Sequence, residues 1–411
     1  MSKDSSRTMP QDADLYFNKT IDFRYRHHSL QFRASQSLFS SHEIDRGTRL
    51  LLRTLDDIDF PSNAKILDLG CGYGVIGLSL AVACGVDAHL VDRDALAVQY
   101  TRDNAKLNGT ERATVYGSLG FDEVTDTGFD LVVSNLPGKA GEEVLTALLA
   151  DVQHFLKPGG TIAIVVVSAL AETIESILRD SLDAEILLHT PDRGHTVFHF
   201  TFGDSTPAVG EFHPAIGRGV YDREVMLLPI GKTDHRIETA RGLPEFDTLS
   251  YQTKLLIESL MDQQSQQLGH ATIINPGQGQ LAVAVHHIFH PGGLTLVDRD
   301  LLALRYSLKN LSLTGCPSDQ ISTVHSASLG GITANSSDLT VLRLRGHDPP
   351  ALPAFLMEEG LRTLSPGGIL VVGGSSTVVT RLEKLVRGQK TCRIIDRKRR
   401  RGSSVLVLRN E

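Results

Sequence analysis

One stretch of nine residues has the composition and spacing of a ligand-binding loop. Residues 66–74 read ILDLGCGYG, an apolar strand-like run followed by Gly70, Gly72 and Gly74. Glycines allow a sharp turn and let a ligand approach the backbone at the positively polarised start of the following helix. The string from Gly72 to Gly77 also fits G-x-G-x-x-G, which is weakly specific when it stands alone. The stretch therefore predicts either a ligand-binding loop or a tight strand-to-helix turn.

Two acidic residues narrow the choice of ligand. Asp92 ends the next predicted strand, 22 residues after Gly70, near the roughly 20-residue spacing at which a carboxylate reaches ribose hydroxyls. Asp68 lies two residues before that glycine, where it would face a ligand amine better than a pyrophosphate. S-adenosylmethionine carries an ammonium and a sulfonium group, whereas a dinucleotide carries two phosphates. We therefore predict an S-adenosylmethionine site formed by Asp68, Gly70, Cys71, Gly72, Gly74 and Asp92.

The motif SNLPG ends the fourth predicted strand, at the sheet edge that borders the ligand crevice. The side-chain oxygen of Asn135 and the carbonyl that Pro137 holds in place offer two acceptors to one exocyclic NH2 group. Two such hydrogen bonds favour a pyramidal nitrogen whose lone pair points at a methyl donor, which is positioning and electrostatic stabilisation. The alternative is a plain turn after a strand. We expect Asn135 and Pro137 to be catalytic, and Asn135 to border the cofactor.

The elements that must position these motifs occur twice. VDRDALAVQYTRDNAKLNG from Val91 and VDRDLLALRYSLKNLSLTG from Val297 share ten of nineteen residues, and flanking segments match at nearly the same spacing. Short β-branched runs alternate with helical apolar spacing, which is typical of a mostly parallel sheet covered by helices. The predicted fold is α/β, with two tandem Rossmann-like domains: 1–203 catalytic, 204–225 linker, and 226–411 a second copy. In the first copy the predicted strands cover 64–69, 87–92, 113–117, 129–135, 160–167 and 195–202, and the predicted helices cover 75–83, 95–107 and 142–155.

The second copy lacks several of the residues that carry chemistry. Aligning KILDLGCGYG with TIINPGQGQL places Asn275 opposite Asp68 and Leu281 opposite Gly74. RLRG from Arg343 replaces NLPG from Asn135, and an arginine side chain cannot accept a hydrogen bond. We therefore expect a degenerate copy with little or no cofactor binding.

The second copy is the more basic one. The whole chain has 41 Lys+Arg and 48 Asp+Glu. Residues 1–205 carry 18 Lys+Arg and 29 Asp+Glu, which leaves 23 Lys+Arg and 19 Asp+Glu for residues 206–411. The run RKRRR lies between two apparent strands and predicts a basic hairpin tip that contacts phosphate, or else a solvated turn. The residues expected to contact RNA are Arg343, Arg345, Arg397, Lys398, Arg399, Arg400 and Arg401.

Basic and aromatic residues also alternate before the first glycine loop. This pattern predicts one of two structures: aromatic side chains that stack on unpaired bases, or an edge strand with one buried face. We favour the edge strand. The residues concerned are Arg24, Arg26, His27, His28 and Arg33, with Phe23, Tyr25 and Phe32. A histidine group at 286, 287 and 290 is expected to pack rather than to bind metal.

Composition excludes several classes of protein. The 411 residues include four isolated cysteines, which argues against a disulfide framework, a structural zinc or any other metal site. No apolar run approaches the ~20 residues of a membrane span, and residues 1–23 are polar, so we expect a cytoplasmic protein without membrane contact. The net charge of −7 argues against binding nucleic acid through bulk charge.

Together the motifs resemble the class I S-adenosylmethionine-dependent methyltransferases. DLGCGYG resembles their first motif, Asp92 their second-strand acid, and SNLPG the N-P-P-[FY] motif of amino-methylating members. LFSSHEIDRGTRLLLRTL from Leu38 resembles the approach segment of the methyltransferase small domain family, best known in tandem-domain ribosomal RNA guanine-N2 methyltransferases. The resemblance covers roughly residues 31–202 with specific motifs and 235–411 as a worn copy.

The resemblance implies methyl transfer to an exocyclic amine, above all guanine N2 of ribosomal RNA. Two departures keep alternatives open. First, N-L-P-G lacks the aromatic residue that stacks on the base in the family, and Tyr73 or Phe121 would have to take its place. Second, the copy with the motifs is the N-terminal one here, whereas the active copy is the C-terminal one in the known tandem enzymes. The alternatives are a methyltransferase acting on a protein amide or a small-molecule amine, and a nucleotide-binding assembly factor without turnover.

Overall fold

The computed structural model of the chain describes residues 15–61, 63–203 and 211–411. Residues 1–14 and 204–210, which belong to the predicted first domain and linker, lie outside the described residues. The described part forms two seven-stranded sheets with identical strand order, each preceded in the chain by a two-stranded hairpin. This arrangement confirms the prediction of two tandem α/β domains.

The first sheet has the order β5-β4-β3-β6-β7-β9-β8. The strands of the first half are β1 (Phe17–Tyr25), β2 (His28–Ser35), β3 (Lys65–Leu69), β4 (Asp87–Asp92), β5 (Ala113–Gly117), β6 (Phe129–Asn135), β7 (Leu156–Val167), β8 (Glu185–Asp192) and β9 (His195–Thr201). Strands β3 to β7 pair in parallel, and β9 and β8 add antiparallel strands at one side. The carboxyl ends of β3, β4, β5 and β6 therefore meet at one edge.

Helices connect these strands. They are α1 (Arg46–Thr54), α2 (Val75–Cys84), α3 (Ala95–Leu107), α4 (Glu142–Asp151) and α5 (Ala171–Ser176). Asp94 begins α3 as its N-cap, since its side chain accepts the Leu96 N–H. The predicted helix 142–155 ends as α4 at Asp151, followed by a 3₁₀ turn. Strand β8 was not predicted because it is an edge strand whose Leu187 is 51% exposed.

The second half repeats this plan in the sheet order β14-β13-β12-β15-β16-β18-β17. Its strands are β10 (Asp222–Ile230), β11 (Thr233–Ala240), β12 (His270–Ile274), β13 (Gly293–Asp298), β14 (Ile321–His325), β15 (Ser337–Arg343), β16 (Leu364–Ser375), β17 (Cys392–Arg400) and β18 (Ser403–Asn410). Its helices are α6 (Tyr251–Met261), α7 (Gln280–Phe289), α8 (Leu301–Leu313), α9 (Leu352–Thr363) and α10 (Ser376–Val386). Strand β10 begins inside the predicted linker 204–225, whose described irregular part is 211–221.

The alternating aromatic and basic residues before the first glycine loop form the hairpin β1–β2, and its aromatic side chains are buried. Phe23, Tyr25 and Phe32 are 9%, 4% and 0% exposed and belong to the core of the first domain. The backbone N–H of Arg33 donates to Asn104 Oδ1 of α3 over 2.8 Å, which holds the hairpin against the domain. The buried-face interpretation is confirmed, and the hypothesis of aromatic stacking on RNA at these positions is wrong.

The register of the two glycine loops differs by two residues from the sequence alignment. The Gly70 N–H donates to Val91 O over 2.9 Å, and the equivalent bond in the second copy, to Val297 O over 2.8 Å, comes from Asn275. The helices then begin after Gly74 and Gly279 respectively. Asn275 is therefore the counterpart of Gly70, and the predicted pairing of Asn275 with Asp68 and of Leu281 with Gly74 is wrong.

This shift changes what the second copy has lost. Ile273 replaces Asp68, because both occupy the position next to last in their strand and face the same neighbouring strands. Gly277 and Gly279 preserve two of the three glycines, with φ of 71° and 96°. Asn275 takes the third left-handed position at φ 56°, which asparagine tolerates better than most residues. The loop backbone is conserved, whereas its acid is lost.

Candidate active site

Two different structural constraints favour glycine at the three positions of the first loop. All are left-handed, at φ of 75°, 58° and 92° for Gly70, Gly72 and Gly74. A Cβ on Gly70 or Gly72 would meet no atom within 4 Å, so the loop presents bare backbone to open space. A Cβ on Gly74 would lie 2.8 Å from Leu78 Cδ1 and 3.0 Å from Thr101 Cγ2. Gly70 and Gly72 can therefore face a ligand, while Gly74 is required by packing.

Cys71 contributes to the loop through its packing. Its side chain is 8% exposed, and its Sγ lies 3.6 Å from Thr101 Oγ1 beneath the loop. Burial, with the nearby carboxylates, raises the pKa of the thiol well above its ordinary value, so the group stays protonated. Any contact of Cys71 with a cofactor would come from its backbone.

Asp68 lies inside the domain rather than at the exposed tip that its position in the sequence indicates. Its carboxylate is 1% exposed, and Oδ2 accepts the Gly77 N–H in the first turn of α2 over 2.7 Å. Oδ1 is buried and has no hydrogen-bond partner among the described residues. Burial raises the pKa of Asp68 to about 7. A buried oxygen without a donor is a position at which a cationic ligand group would be stabilised.

Asp92 connects the end of β4 to the glycine loop. Its Oδ2 accepts the Gly72 N–H over 2.9 Å, and its Oδ1 accepts the Asp94 N–H over 2.9 Å. Each carboxylate oxygen has a second lone pair, so both can still accept from ribose hydroxyls. Burial raises the pKa of Asp92 to about 6.

The Asn135 amide is held in one orientation. Its Nδ2 donates to Asp45 Oδ2 over 3.1 Å and to Thr48 Oγ1 over 3.2 Å. Because a carboxylate only accepts hydrogen bonds, the NH2 group must face Asp45, which leaves Oδ1 as a free acceptor. The next residue, Leu136, donates its N–H to Val165 O over 3.0 Å, which fixes the chain that leads into Pro137.

Sequence reasoning missed Asp45 and Thr48. Asp45 begins α1 as its N-cap and accepts the Thr48 N–H over 3.1 Å. The signal was present in the sequence as an Asp just before the apolar run TRLLLRTL, since Asp is a preferred N-cap residue. The capping pattern does not indicate that the same carboxylate reaches Asn135, 90 residues away.

Neither aromatic residue proposed to replace the missing stacking residue is available. Tyr73 is 4% exposed and donates its hydroxyl to Ser40 O over 3.1 Å. Phe121 is 2% exposed and stacks on Phe155 at 4.7 Å between ring centroids. Both expectations are wrong because these rings belong to the core. Phe39, one residue before Ser40, is 71% exposed and is the most exposed large apolar side chain of the described residues.

In the second copy, arginines occupy the corresponding space. Arg343 Nε donates to Asn275 O over 3.0 Å, Nη1 pairs with Glu245 at 3.3 Å, and a Cβ on Gly277 would lie 2.9 Å from Nη2. Arg345 forms an ion pair with Asp298, the counterpart of Asp92. The side chains of Arg343 and Arg345 are only 14% and 31% exposed. Both pair with acids of the second domain, and their contact with phosphate stays a prediction.

The basic run also differs from its predicted structure. Strands β17 and β18 form the predicted hairpin, but residues 397–400 lie within β17 and only Arg401 of the run lies in the turn. Acidic residues of the same domain pair with several of these side chains: Arg397 with Glu383, Lys398 with Asp262, and Arg400 with Glu258. Arg401 donates to the Tyr251 hydroxyl over 2.5 Å. Arg399 is exposed and, among the described residues, forms no ion pair.

The described part of the chain contains neither a metal-binding cluster nor a membrane-spanning helix. No group of three or more His, Cys, Asp or Glu side chains in this part of the chain could hold a metal ion. No described helix is long and apolar enough to cross a membrane. His286 and His287 lie in α7 as predicted, and the His287 ring packs against His235 at 4.2 Å between centroids.

Known proteins resemble the chain at the level of sequence and of fold. The family model "Methyltransferase small domain" matches residues 29–193. The Bacillus subtilis protein YbxB is 34% identical over 150 residues, which are 36% of this chain and 74% of that protein. A "Ribosomal RNA small subunit methyltransferase C" of Actinobacillus pleuropneumoniae is 36% identical over 146 residues, which are 34% of this chain and 44% of that enzyme. The match thus spans less than half the length of the latter relative.

A solved structure matches almost the whole chain. It is the T. thermophilus 16S rRNA N2 G1207 methyltransferase in complex with AdoMet and guanosine, with a TM-score of 0.65, 14% identity, and coverage of 97% of this chain and 100% of that one. At this identity the match confirms the fold of two tandem domains. The family model and YbxB carry the family assignment: the chain belongs to the methyltransferase small domain family of S-adenosylmethionine-dependent methyltransferases.

Proposed function

We propose that the first domain transfers a methyl group from S-adenosylmethionine to an exocyclic amine, and that the physiological amine is guanine N2 in ribosomal RNA. The observation that carries this proposal is the fixed amide of Asn135. Asp45 holds its NH2 group at 3.1 Å, so its oxygen is presented as an acceptor at the end of β6. The end of β6 shares a sheet edge with the glycine loop after β3.

An exocyclic amine needs help to act as a nucleophile because its lone pair is delocalised into the ring. Asn135 Oδ1 and the Leu136 carbonyl, which precedes Pro137, would each accept one amine proton. Two preorganised acceptors favour the pyramidal nitrogen and stabilise the positive charge that develops on it. In this role Asp45 and Thr48 are positioning residues, because they accept from the Asn135 NH2 group and keep its oxygen directed away from them.

The first glycine loop fits the cofactor. When bound, S-adenosylmethionine supplies an electrophilic methyl group on a sulfonium. The open backbone at Gly70 and Gly72 allows close approach, and Asp92 offers acceptors for ribose hydroxyls. The buried Oδ1 of Asp68 offers negative charge to the cationic end of the molecule. Cys71 and Gly74 shape the loop from beneath, as their packing indicates.

Ribosomal RNA is favoured as the substrate by the named relatives, and within this chain the support is limited to the exposed arginines at the end of β17. Arg399, Arg400 and Arg401 are the members of the predicted contact set that stay exposed. One observation favours the alternative of a protein amide or a small amine: N-L-P-G has no aromatic, and Tyr73 and Phe121 are buried. Phe39 is the exposed ring nearest in sequence to the Tyr73 contact at Ser40.

The test supplies methyl-labelled S-adenosylmethionine and the full-length protein to an extract of cells that lack the gene, whose targets are unmethylated. RNA, protein and small-molecule fractions are separated, and labelled RNA is digested to nucleosides. The proposal expects label in N2-methylguanosine of ribosomal RNA, and none with Asn135→Ala. Label in protein or small molecules would support the alternative acceptor.

Binding of S-adenosylmethionine without any label transfer would support a non-catalytic assembly factor. Calorimetric titration with S-adenosylmethionine and with NAD separates the cofactor assignment from the acceptor assignment. The proposal expects binding of the first and none of the second, since the acidic loop lacks a place for pyrophosphate.

A further inference from the structure

The contact between the two domains lies directly beside Asp92. The segments VDRD of the two copies form an antiparallel bridge, with Asp94 opposite Asp300. The Ala95 N–H donates to Arg299 O over 2.7 Å, and the Leu301 N–H donates to Arg93 O over 3.0 Å. These bonds are related by the pseudo-symmetry of the repeat, which accounts for the strong identity of the two segments.

Side chains of the second domain strengthen this contact on the first-domain side. Arg299 pairs with Asp94 at 3.0 Å, and both side chains are less than a quarter exposed, at 17% and 23%. His325 Nε2 lies 2.9 Å from the carbonyl oxygens of both Arg93 and Arg299. Because both partners are acceptors, that nitrogen carries the proton. The His325 ring also occupies the space beside Gly117, where a Cβ would lie 2.7 Å from it.

The same residues of the first domain hold the carboxylate of Asp92. The Asp94 N–H donates to Asp92 Oδ1 over 2.9 Å, and the Ser118 N–H donates to Asp92 O over 3.0 Å. Asp94 therefore touches Asp92 through its backbone and Arg299 through its side chain. A displacement of Arg93 and Asp94 would move a donor that fixes one oxygen of Asp92.

A second support reaches the loop after β5. The Leu119 N–H donates to Glu123 Oε2 over 2.7 Å. Arg305 of the second domain pairs with Glu123 Oε1 at 2.5 Å. Leu119 follows Ser118, which contacts Asp92. The second domain thus holds the ends of β4 and β5, the two strand ends on the Asp92 side of the glycine loop.

We propose that the degenerate second domain acts as a positioning element for the cofactor site of the first, and that its contacts at Arg299, His325 and Arg305 set the affinity for the adenosine part of S-adenosylmethionine. This role is separate from methyl-acceptor binding. It rests on the assignment of Asp92 as the acid that accepts from the ribose, which belongs to the function proposed above.

The test compares full-length variants by calorimetric titration with S-adenosylmethionine and with adenosine alone. Arg299→Gln and His325→Ala remove contacts beside Asp92, and both should weaken binding of either ligand by roughly tenfold, within the usual range of coupling between two sites. Turnover at saturating cofactor should change little, because neither residue touches the acceptor. The matched control is Tyr16→Phe, which removes an interdomain hydrogen bond of 3.0 Å, to Ala327 O, that touches neither β4 nor β5.

Asp92→Asn in the same titrations distinguishes the role of Asp92 in cofactor binding from the role of the second domain in positioning it. If Asp92→Asn binds S-adenosylmethionine like the parent, the assignment of Asp92 is wrong, whatever the interface variants do. If Asp92→Asn binds weakly while Arg299→Gln and His325→Ala bind like the parent, only the role of the second domain is overturned. An equal loss with Tyr16→Phe would also overturn it, because the effect would then be general loosening of the domain contact. Combining Arg299→Gln with Asp92→Asn should add little further loss.

Discussion

The two halves of the molecule share a backbone and differ in what their side chains place above it. Both sheets have the same order, and both glycine loops end at left-handed glycines, Gly74 and Gly279. Above Gly70 and Gly72 the space is open, whereas above Gly277 lies the guanidinium of Arg343. The two copies therefore share one scaffold and differ in the side chains that lie above the loop.

The two arginines in the loop region of the second copy are each paired with an acid. Arg343 and Arg345 each bring a positive charge into the former crevice, and each has an acid in place, Glu245 and Asp298. A buried charge without a partner costs several kcal/mol, so these arginines are stable only because Asp298 was kept and Glu245 is present. In the first copy the counterpart Asp92 has only backbone donors, which leaves it able to bind a ligand.

The largest expected difference between the halves concerns Asn135 and its counterpart Arg343. Asn135→Ala should lower kcat about a hundredfold, the scale for losing one preorganised hydrogen-bond partner, and should leave the Kd of S-adenosylmethionine nearly unchanged. Arg343→Ala should leave both unchanged, because that side chain serves only the second domain. Single-turnover methyl transfer and calorimetry measure the two quantities. Full activity of Asn135→Ala would contradict the assigned role.

The next expected effect concerns Asp45, whose counterpart in the second copy is the N-cap Ser250. Asp45→Asn preserves a good N-cap but offers Asn135 an amide in place of a carboxylate, so the Asn135 amide is no longer forced into one orientation. We expect kcat to fall roughly tenfold to thirtyfold, by analogy with the loss of an oriented donor or acceptor. Ser250→Ala should weaken its helix without changing kcat.

A double-mutant cycle decides whether Asp45 acts through Asn135. In the background of Asn135→Ala, the change Asp45→Asn should have almost no further effect on kcat, since the residue that it positions has gone. Additive losses would show that Asp45 acts on the reaction by another route.

The sequence predicted the fold and the identity of the loop well, because periodicity and glycine spacing are local signals. It predicted the helix Ala95–Leu107 and the strands β4, β5 and β6 with their observed bounds. It failed where long-range contacts decide. The two-residue shift that pairs Asn275 with Gly70 depends on a bond to Val297, and the contact of Asp45 with Asn135 joins residues 90 positions apart. The burial of Tyr73 and Phe121 likewise depends on tertiary packing.

A third prediction contrasts Asp92 with Asp298 through pH. Burial raises the pKa of Asp92 to about 6 and that of Asp68 to about 7, so both take up protons as the pH falls through these values. A protonated carboxyl loses its charge and one acceptor, so S-adenosylmethionine should bind roughly tenfold more weakly at pH of about 5 than at about 8. Asp92→Asn should remove only the part of this dependence that lies near pH 6, and Asp68→Asn the part near pH 7. Asp298→Asn should leave the dependence intact, because Arg345 occupies that acid.

The same carboxyl groups make the free energy of unfolding of the cofactor-free protein change with pH in the opposite direction to the cofactor affinity. Between the ordinary carboxyl pKa of 3.8 and the raised value of about 7, folded Asp68 holds a proton that the unfolded chain has released. Stability therefore rises as the pH falls through this window. The thermal midpoint of Asp68→Asn should lack this contribution. A cofactor affinity that increased on acidification would contradict the assignment of both acids.

The smallest expected effect tests whether the basic end of the second domain contacts RNA at all. Arg397 pairs with Glu383, whereas Arg399 is exposed and lacks such an acid within the described residues. Each phosphate contact contributes roughly 0.7 to 0.9 to the slope of log affinity against log salt. Arg399→Gln should therefore weaken RNA binding about threefold at moderate salt and lower the slope by about that amount. Arg397→Gln should leave the slope unchanged, since its charge is already neutralised. Equal slopes for parent and Arg399→Gln would mean that Arg399 makes no phosphate contact, and any contact at this end of the second domain would then fall to Arg400 and Arg401.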